Sequence, residues 1–303
     1  MRGGDATDVP VLLLVYRRPE TTQKVLDVLR HVRPSRLYVA ADGPRTPDDT
    51  ASCAKAREVA TNIQGSTHIQ TLFRDAHLGL RRGVPEALDW FFQYESAGII
   101  LEDDVVPDPT FFQFVREVLD RYRDDKRVAG VSGNGRGGPS IEDSYTFSRY
   151  PHIWGWATWA DRWELYDQEM SDWPRLRDEG WLRSLSPHRD FERYWRHIFN
   201  DTHGGGIDTW AYQWVYTCFV HRIVTAVSDR ALVHNVGTGI GATHTLRLPY
   251  RQPDVTAMSF PLQHPPKVSR DQLLDRWEDL HIHQTRRTLW RRFRTSTRAK
   301  LRT

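Results

Sequence analysis

The sequence predicts an α/β protein built on a largely parallel, mixed sheet, and three observations lead to that fold class. Short apolar runs typical of buried strands alternate with amphipathic stretches typical of helices through the first half of the chain. Each apolar run ends in polar or charged residues, as strands do at the ligand-binding edge of such a sheet. The 303 residues are 39% hydrophobic, which is enough for a substantial core. We therefore expect a Rossmann-like sheet flanked by helices.

The order of the elements follows from apolar periodicity. Runs of β-branched and aliphatic residues mark strands, and apolar residues at helical spacing mark the segments between them. The expected order is strand 11–16, helix 21–31, strand 37–41, helix 51–63, strand 69–73, helix 84–94, strand 98–101, helix 111–123 and strand 128–132. A Gly-rich loop at 133–138 ends this alternation. Because parallel strands end at one edge of a sheet, the polar residues that follow them should lie together.

Composition and charge exclude several classes of protein. The formal net charge is only +3, so the chain as a whole has no strong acidic or basic bias. Cys53 and Cys218 lie far apart and argue against a disulfide framework or a cysteine-built zinc site. The first ten residues contain no apolar stretch, so we expect no secretory signal, and the apolar run at 11–16 is too short to cross a bilayer. We expect a cytoplasmic protein.

The strand at 98–101 ends abruptly in Glu102, Asp103 and Asp104, which we call the acid triplet. Adjacent carboxylates repel one another unless a positive charge lies between them, and a hard divalent cation bound through oxygen is the usual solution. We therefore expect Mn²⁺ or Mg²⁺ at this strand end. The alternative is a solvated acidic turn, which more commonly contains Gly, Asn or Ser.

Arginines near the other strand ends favour a phosphate or diphosphate ligand, because guanidinium groups bind such anions in bidentate fashion. The arginines concerned are Arg17, Arg18, Arg74, Arg81 and Arg82. We expect Arg17, Arg81 and Arg82 to contact the ligand, although most arginines taken singly are solvated surface charges. Asp42, after the second strand, is suited to accept hydrogen bonds from a base or ribose. The chain has neither a Gly-x-Gly-x-x-Gly turn after the first strand nor a Gly-Lys-Ser/Thr loop, which argues against a dinucleotide dehydrogenase and a P-loop NTPase.

Taken in order, these motifs resemble the nucleotide-sugar-binding half of a GT-A fold glycosyltransferase, and more narrowly the N-acetylglucosaminyltransferase I family and its bacterial relatives. The resemblance covers about residues 11–245 and depends on the segments 11–19, 41–44, 77–81, 100–112, 131–134 and 155–159. It implies that Asp104 contacts the metal ion and that Asp103 or Glu102 supports the sugar or the metal's waters. It also implies that Asp42 lies beside the nucleotide base.

Residues 150–159 are dense in aromatic side chains, and Trp163 follows closely. Aromatic faces stack on the C–H faces of sugars, so this segment indicates a platform for an acceptor. Burial in the core is the alternative, and we expect it for Trp154, Trp159 and Trp163. Trp156 lies between small residues and is the tryptophan that we expect to be exposed to the acceptor.

The resemblance also implies a catalytic base. Three glycines at 204–206 precede Asp208, Thr209 and Trp210, in the region where the related enzymes have an Asp-Asp-Trp motif that provides the base. Asp208 and Trp210 match the first and third residues of that motif, and Thr209 departs from the second. From the residues alone, Asp208 is equally well explained as the N-cap of the following helix. We expect Asp208 to be the base and Trp210 to contact the acceptor.

A strand beginning at Leu232 leads into a Gly-rich loop that contains His244. An imidazole from such a loop can complete a metal shell, and GT-A enzymes commonly bring a C-terminal His or loop over the diphosphate. We expect His244 to be a second metal ligand and His234 to be structural. A solvated histidine that forms hydrogen bonds in the loop is the alternative.

We expect residues 1–135 to form the nucleotide-sugar-binding half, 136–255 the acceptor-side and catalytic half of the same domain, and 256–303 a C-terminal extension. Residues 284–303 are rich in arginine and contain no acid. With the interspersed Trp and Phe they suit an anionic membrane surface, at about 1 kcal/mol per basic residue near the headgroups. Nucleic-acid binding and a solvated tail are the alternatives. We favour contact with the inner face of the membrane and expect no nucleic-acid partner.

Together these features predict an inverting hexosyltransferase. It would move GlcNAc or a related hexose from a nucleotide diphosphate sugar, most simply UDP-linked, to a hydroxyl of a glycan, lipid-linked or small-molecule acceptor. A sugar nucleotidyltransferase would share the sheet and the acidic site, but no Gly-rich phosphate loop with Lys or Arg follows the first strand. A non-catalytic carbohydrate-binding protein would explain the tryptophans and leave the acid triplet unexplained.

Overall fold

The computed structural model describes residues 8–63, 67–135, 137, 142–237 and 251–286. The strands within these ranges are β1 (Val11–Val15), β2 (Arg36–Ala41), β3 (His68–Phe73), β4 (Ala97–Glu102), β5 (Val105–Pro107), β6 (Val128–Ser132), β7 (Tyr145–Ser148), β8 (Trp156–Trp159), β9 (Val224–Ser228) and β10 (Val233–Asn235). The α-helices within them are α1 (Pro19–Val32), α2 (Thr50–Thr61), α3 (Gly79–Phe92), α4 (Thr110–Tyr122), α5 (Ala160–Trp163), α6 (Trp173–Asp178), α7 (Arg189–His203), α8 (Ala211–His221) and α9 (Gln272–His281).

Eight of these strands form one mixed sheet in the order β3-β2-β1-β4-β8-β6-β9-β7. The first four in this order are parallel to one another. β8 lies antiparallel between β4 and β6, β9 is parallel to β6, and β7 is antiparallel to β9. β5 and β10 form a separate antiparallel pair. The predicted α/β class, with a mixed sheet flanked by helices, is confirmed, and strands from both predicted halves contribute to the one sheet.

The residues of β1 alternate between two hydrophobic clusters on the two faces of the sheet. Val11, Leu13 and Val15 pack in one cluster, with residues of α1, α2 and α4. Leu12 and Leu14 pack in the other, with residues of α3 and α8. Successive side chains of a strand point to opposite faces, so helices on both sides bury the whole of β1. A third, aromatic-rich cluster lies among α6, α7 and α8.

The start of α3 differs from the prediction. The sequence predicts a helix from Val84, whereas α3 begins at Gly79. Glycine and proline are the weakest helix formers, and Gly79, Gly83 and Pro85 all lie in the first half of α3. The early turns of α3 therefore depend on contacts with other parts of the chain. The helices α7 and α9 were not predicted at all.

Only residues 284–286 of the predicted membrane-binding tail lie within the described ranges, so contact with a membrane surface stays a prediction. None of the helices in the described part of the chain combines the length and the apolar character that a membrane span requires.

Candidate functional site

A cleft of about 560 Å³ opens at the carboxyl ends of β1, β2 and β4, the edge at which the sequence predicts a ligand. This volume is in the range typical of small-molecule sites. The N-terminus of α3 and the segment before α8 complete its wall. The predicted site residues that line it are Asp42, Glu102, Asp103, Asp104, Asp208 and Trp210.

The acid triplet lies where β4 ends and is largely buried. Asp103 is 7% exposed and Asp104 8% exposed, while Glu102 is partly exposed. The backbone N–H of Tyr16 donates a hydrogen bond of 2.9 Å to Oδ2 of Asp103. The guanidinium of Arg18 donates a hydrogen bond of 2.6 Å to Oδ2 of Asp104. Residues that follow β1 therefore hold two of the three carboxylates in place.

Burial is the main cause of the raised pKa values of the three carboxyl groups in the acid triplet. Burial, followed by repulsion from Asp104 and Asp103, raises the pKa of Glu102 to about 8. Burial and the charge of Asp104 raise the pKa of Asp103 to about 7. Burial also raises the pKa of Asp104, and the neighbouring Arg18 opposes that rise. A cation bound among these carboxylates would favour their ionised forms.

These pKa values predict that the acid triplet weakens the fold at alkaline pH. Unfolded carboxyls release their protons near pH 4, whereas folded Glu102 and Asp103 keep theirs until about pH 8 and about pH 7. The contribution of the two protonated acids to stability is therefore full below about pH 4 and is lost as the pH rises to about 8. We expect Glu102→Gln to raise the free energy of unfolding by at least about 1 kcal/mol at about pH 8.5, and by less at about pH 5.

Urea unfolding at the two pH values, with a chelator present, measures this difference. Glu58→Gln is the control, because Glu58 is an exposed acid paired with Lys55 on α2. An effect of Glu102→Gln that is the same at both pH values would contradict the assignment of the raised pKa to Glu102.

Asp104 has the environment that best suits a bound cation. Its Oδ1 atom is buried and has no hydrogen-bond partner among the described residues. Within the described ranges, however, no three His, Cys, Asp or Glu side chains are arranged to hold a metal ion. His244, the other predicted ligand, lies outside those ranges. The fit to a metal therefore depends on Asp104 and its acidic neighbours, and metal binding stays a prediction.

Asp42 follows β2 and holds the turn that leads into α3. Its carboxylate accepts hydrogen bonds from the backbone N–H groups of Gly43, Leu78 and Gly79, at 2.9 to 3.0 Å. Nδ1 of His77 lies 2.8 Å from Oδ2 of Asp42. Donors within the protein thus use most of the acceptor capacity of this carboxylate. Asp42 therefore shapes the cleft wall, and its predicted contact with a nucleotide base stays untested.

Asp208 caps α3 and not the helix that follows it in the chain. Its Oδ1 atom accepts a hydrogen bond of 3.0 Å from the backbone N–H of Arg81, in the first turn of α3. Gly79 has a φ of +73°, and a Cβ at this position would lie 2.9 Å from Oδ2 of Asp208. Only glycine allows this approach without strain. At the start of α8, the backbone N–H of Ala211 donates a hydrogen bond of 3.1 Å to Oγ1 of Thr209.

None of the three arginines expected to contact the ligand lines the cleft. The cleft wall instead contains Arg18 and Arg74, which also follow strands, and Arg45. Arg17 pairs with an aspartate just before α2, Arg82 is exposed and pairs within α3, and the guanidinium of Arg81 donates to a carbonyl of α7. Helix α1 begins immediately after Arg18, its N-cap residue. This helix boundary is the sequence signal that favours Arg18 over Arg17.

Trp156 is buried, and the prediction that it is exposed is wrong. It is 2% exposed, because β8 lies between β4 and β6 and the rings of Trp210 and Trp214 lie 5.9 and 6.0 Å from its own. Trp154, predicted to be in the core, is only partly buried and lines the cleft. Trp210 is 3% exposed and still forms part of the cleft wall. The tryptophans that line the cleft are therefore Trp154 and Trp210, beside Tyr16.

No family model matches the sequence, and no curated protein matches it significantly. The fold and the cleft define an α/β protein with a mixed sheet and a ligand-sized cleft at its strand ends. The finer assignment depends on the chemistry of the residues in that cleft.

Proposed function

We propose that the protein is a metal-dependent glycosyltransferase of the GT-A type, with a nucleotide diphosphate sugar as its donor, most simply UDP-linked. The observation that carries the proposal is that one cleft contains the acid triplet, Arg18 and the exposed carboxylate of Asp208. The resemblance of the sequence motifs to the N-acetylglucosaminyltransferase I family supports the same assignment.

The donor side of the proposed site consists of Asp104, Arg18 and Arg74. A Mn²⁺ or Mg²⁺ ion held by Asp104 would offset the negative charge that develops on the departing nucleoside diphosphate. Arg18 and Arg74 supply guanidinium donors for phosphate oxygens. Glu102 and Asp103 would accept hydrogen bonds from hydroxyl groups of the donor sugar.

The acceptor side consists of Asp208, Trp154 and Trp210. The carboxylate of Asp208 takes the proton from the acceptor hydroxyl as that oxygen attacks the anomeric carbon, on the face opposite the departing nucleotide. The anomeric configuration is then inverted. The tryptophan rings provide apolar faces for the C–H surface of a sugar. The backbone N–H of Arg81 holds the Asp208 carboxylate and leaves its second oxygen for the proton transfer.

Isothermal titration with UDP, with and without Mn²⁺, tests the donor site. We expect binding that requires Mn²⁺ and that is lost in Asp104→Ala, because the buried Oδ1 of Asp104 is the atom available to a cation. Asp120→Ala is the control, since Asp120 is an exposed acid on α4. Failure of UDP, GDP, dTDP and CDP to bind under either condition would refute the proposal. Release of a nucleoside diphosphate in turnover identifies a transferase, whereas release of pyrophosphate identifies a nucleotidyltransferase.

A further inference from the structure

A second cavity, of about 270 Å³, lies at the C-terminal end of α8. Helix α8 begins at Ala211, in the wall of the cleft, and ends at His221. Its 11 residues span about 16 Å. The cavity is therefore a separate feature from the cleft, and its wall includes the side chains of Cys218, Phe219 and Arg222.

Four arginines line this cavity, and none of the described residues in its wall is acidic. They come from four parts of the chain, and they are Arg127 before β6, Arg149 after β7, Arg222 at the end of α8 and Arg270 before α9. Cations that converge in this way repel one another unless an anion lies between them. The composition of the wall is therefore that of an anion site.

Two of the four arginines are held in place by the same buried carboxylate. Nε of Arg149 and Nε of Arg270 lie 3.2 and 2.5 Å from the same oxygen, Oδ2 of Asp275. Asp275 is fully buried and is not part of the cavity wall. The side chain of Arg149 is only 8% exposed, and its guanidinium lies 4.6 Å from the centre of the Phe191 ring. One carboxylate thus orients two guanidinium groups.

The other two arginines are more exposed than Arg149 and Arg270. Arg127 is exposed and pairs with Asp125. Arg222 is exposed, has a φ of 54° as the C-cap of α8, and forms no ion pair with an acid of the described residues. Arg222 is therefore the cation of this group whose charge is least balanced.

We propose that this cavity binds a phosphate group, either free or as a phosphate ester, through Arg149, Arg222 and Arg270. Guanidinium groups bind phosphate oxygens with paired, parallel hydrogen bonds, and a pre-oriented guanidinium loses little freedom in doing so. The volume is below that typical of sites for drug-sized ligands, which favours a compact anion over a whole nucleotide sugar. The inference does not depend on transferase activity, since its test involves no nucleotide.

Thermal unfolding with inorganic phosphate and with glycerol phosphate, at constant ionic strength, tests the site. We expect a saturable rise in Tm for the wild type, because a ligand that binds the folded state stabilises it. The rise should be lost in the double variant Arg222→Gln, Arg270→Gln. Arg30→Gln should keep it, since Arg30 is a paired surface arginine with 35% side-chain exposure, close to the 32% of Arg270. Arg18→Gln should also keep it, which separates the cavity from the cleft.

Two further measurements complete the test. If the double variant does not fold, the single variant Arg222→Gln, at an exposed position, should weaken phosphate binding about tenfold or more, as expected for the loss of a charged hydrogen bond. Flotation with vesicles that contain phosphatidic acid distinguishes a lipid headgroup from a free phosphate ester. A rise in Tm with phosphate, or flotation with these vesicles, supports the site if it requires Arg222. An equal rise in Tm with phosphate in the wild type and the Arg222 variants, or no rise in either, would overturn the proposal.

Discussion

Asp208→Asn should lower the turnover of sugar transfer by about 10²–10⁴, the range typical of a lost general base, and leave the binding of UDP nearly unchanged. Asparagine keeps an oxygen that can accept the hydrogen bond from the backbone N–H of Arg81. It cannot take a proton from the acceptor hydroxyl. The hydrogen bond that caps α3 is therefore kept in this variant, whereas the proton transfer from the acceptor is lost.

Steady-state turnover, measured beside the UDP titration and the thermal unfolding of the same samples, checks this result. Asp208→Ala separates the two roles of the residue, since it should also lower the stability of the fold by about 0.5–2 kcal/mol through loss of the cap. Asp201→Asn, an exposed acid on α7 that lies near His197, is the matched control. Turnover of Asp208→Asn at the wild-type level would rule out Asp208 as the catalytic base.

Gly237→Ala should lower turnover by about 10²-fold, although residue 237 has no side chain of its own in the site. A Cβ at this position would lie 1.9 Å from Oδ2 of Asp104 and 2.7 Å from a guanidinium nitrogen of Arg18. Both side chains would have to move, and a displacement of about 1 Å in a catalytic site can cost about 10²-fold in rate. We expect the free energy of unfolding to change little, because Gly237 follows β10 and lies outside the large sheet.

A double-mutant cycle with Asp104→Ala tests the cause of the loss. If Gly237→Ala acts by displacing the Asp104 carboxylate, it should have little further effect on turnover or on UDP binding in the Asp104→Ala background, since coupled residues are not additive. Fully additive losses would show that Gly237 acts through another part of the site.

The start of α3 shows how tertiary contacts override local preference. Glycine at positions 79 and 83 and proline at 85 predict that the helix starts late. The structure starts it at Gly79, because carboxylates from two distant segments accept hydrogen bonds from the N–H groups of its first residues. Asp42 bonds Leu78 and Gly79, and Asp208 bonds Arg81. No local pattern contains that information, since Asp208 is more than a hundred residues away in sequence.

The two tryptophans at 154 and 156 show a similar limit. Both lie in a segment of aromatic and small residues, and the residues on either side of Trp156 favour exposure. The structure buries Trp156 because β8 is an inner strand of the sheet, between β4 and β6. The position of a strand within a sheet depends on long-range pairing, and the sequence of β8 does not determine it.

The sequence by itself determined the fold class, the buried strands β1, β2 and β4, and the polar residues that follow them. These features depend on local periodicity and on the rule that parallel strands end at one edge, so a single sequence contains them. Only the tertiary structure decided which arginines enter the cleft, which helix Asp208 caps and which arginines surround the second cavity. It also buried Asp275, Glu278 and Asp279 of α9 completely. These three acids contact Arg149, His152 and Tyr150, far away in the chain, since burial of a charge requires a partner whose distance in sequence no local pattern reveals.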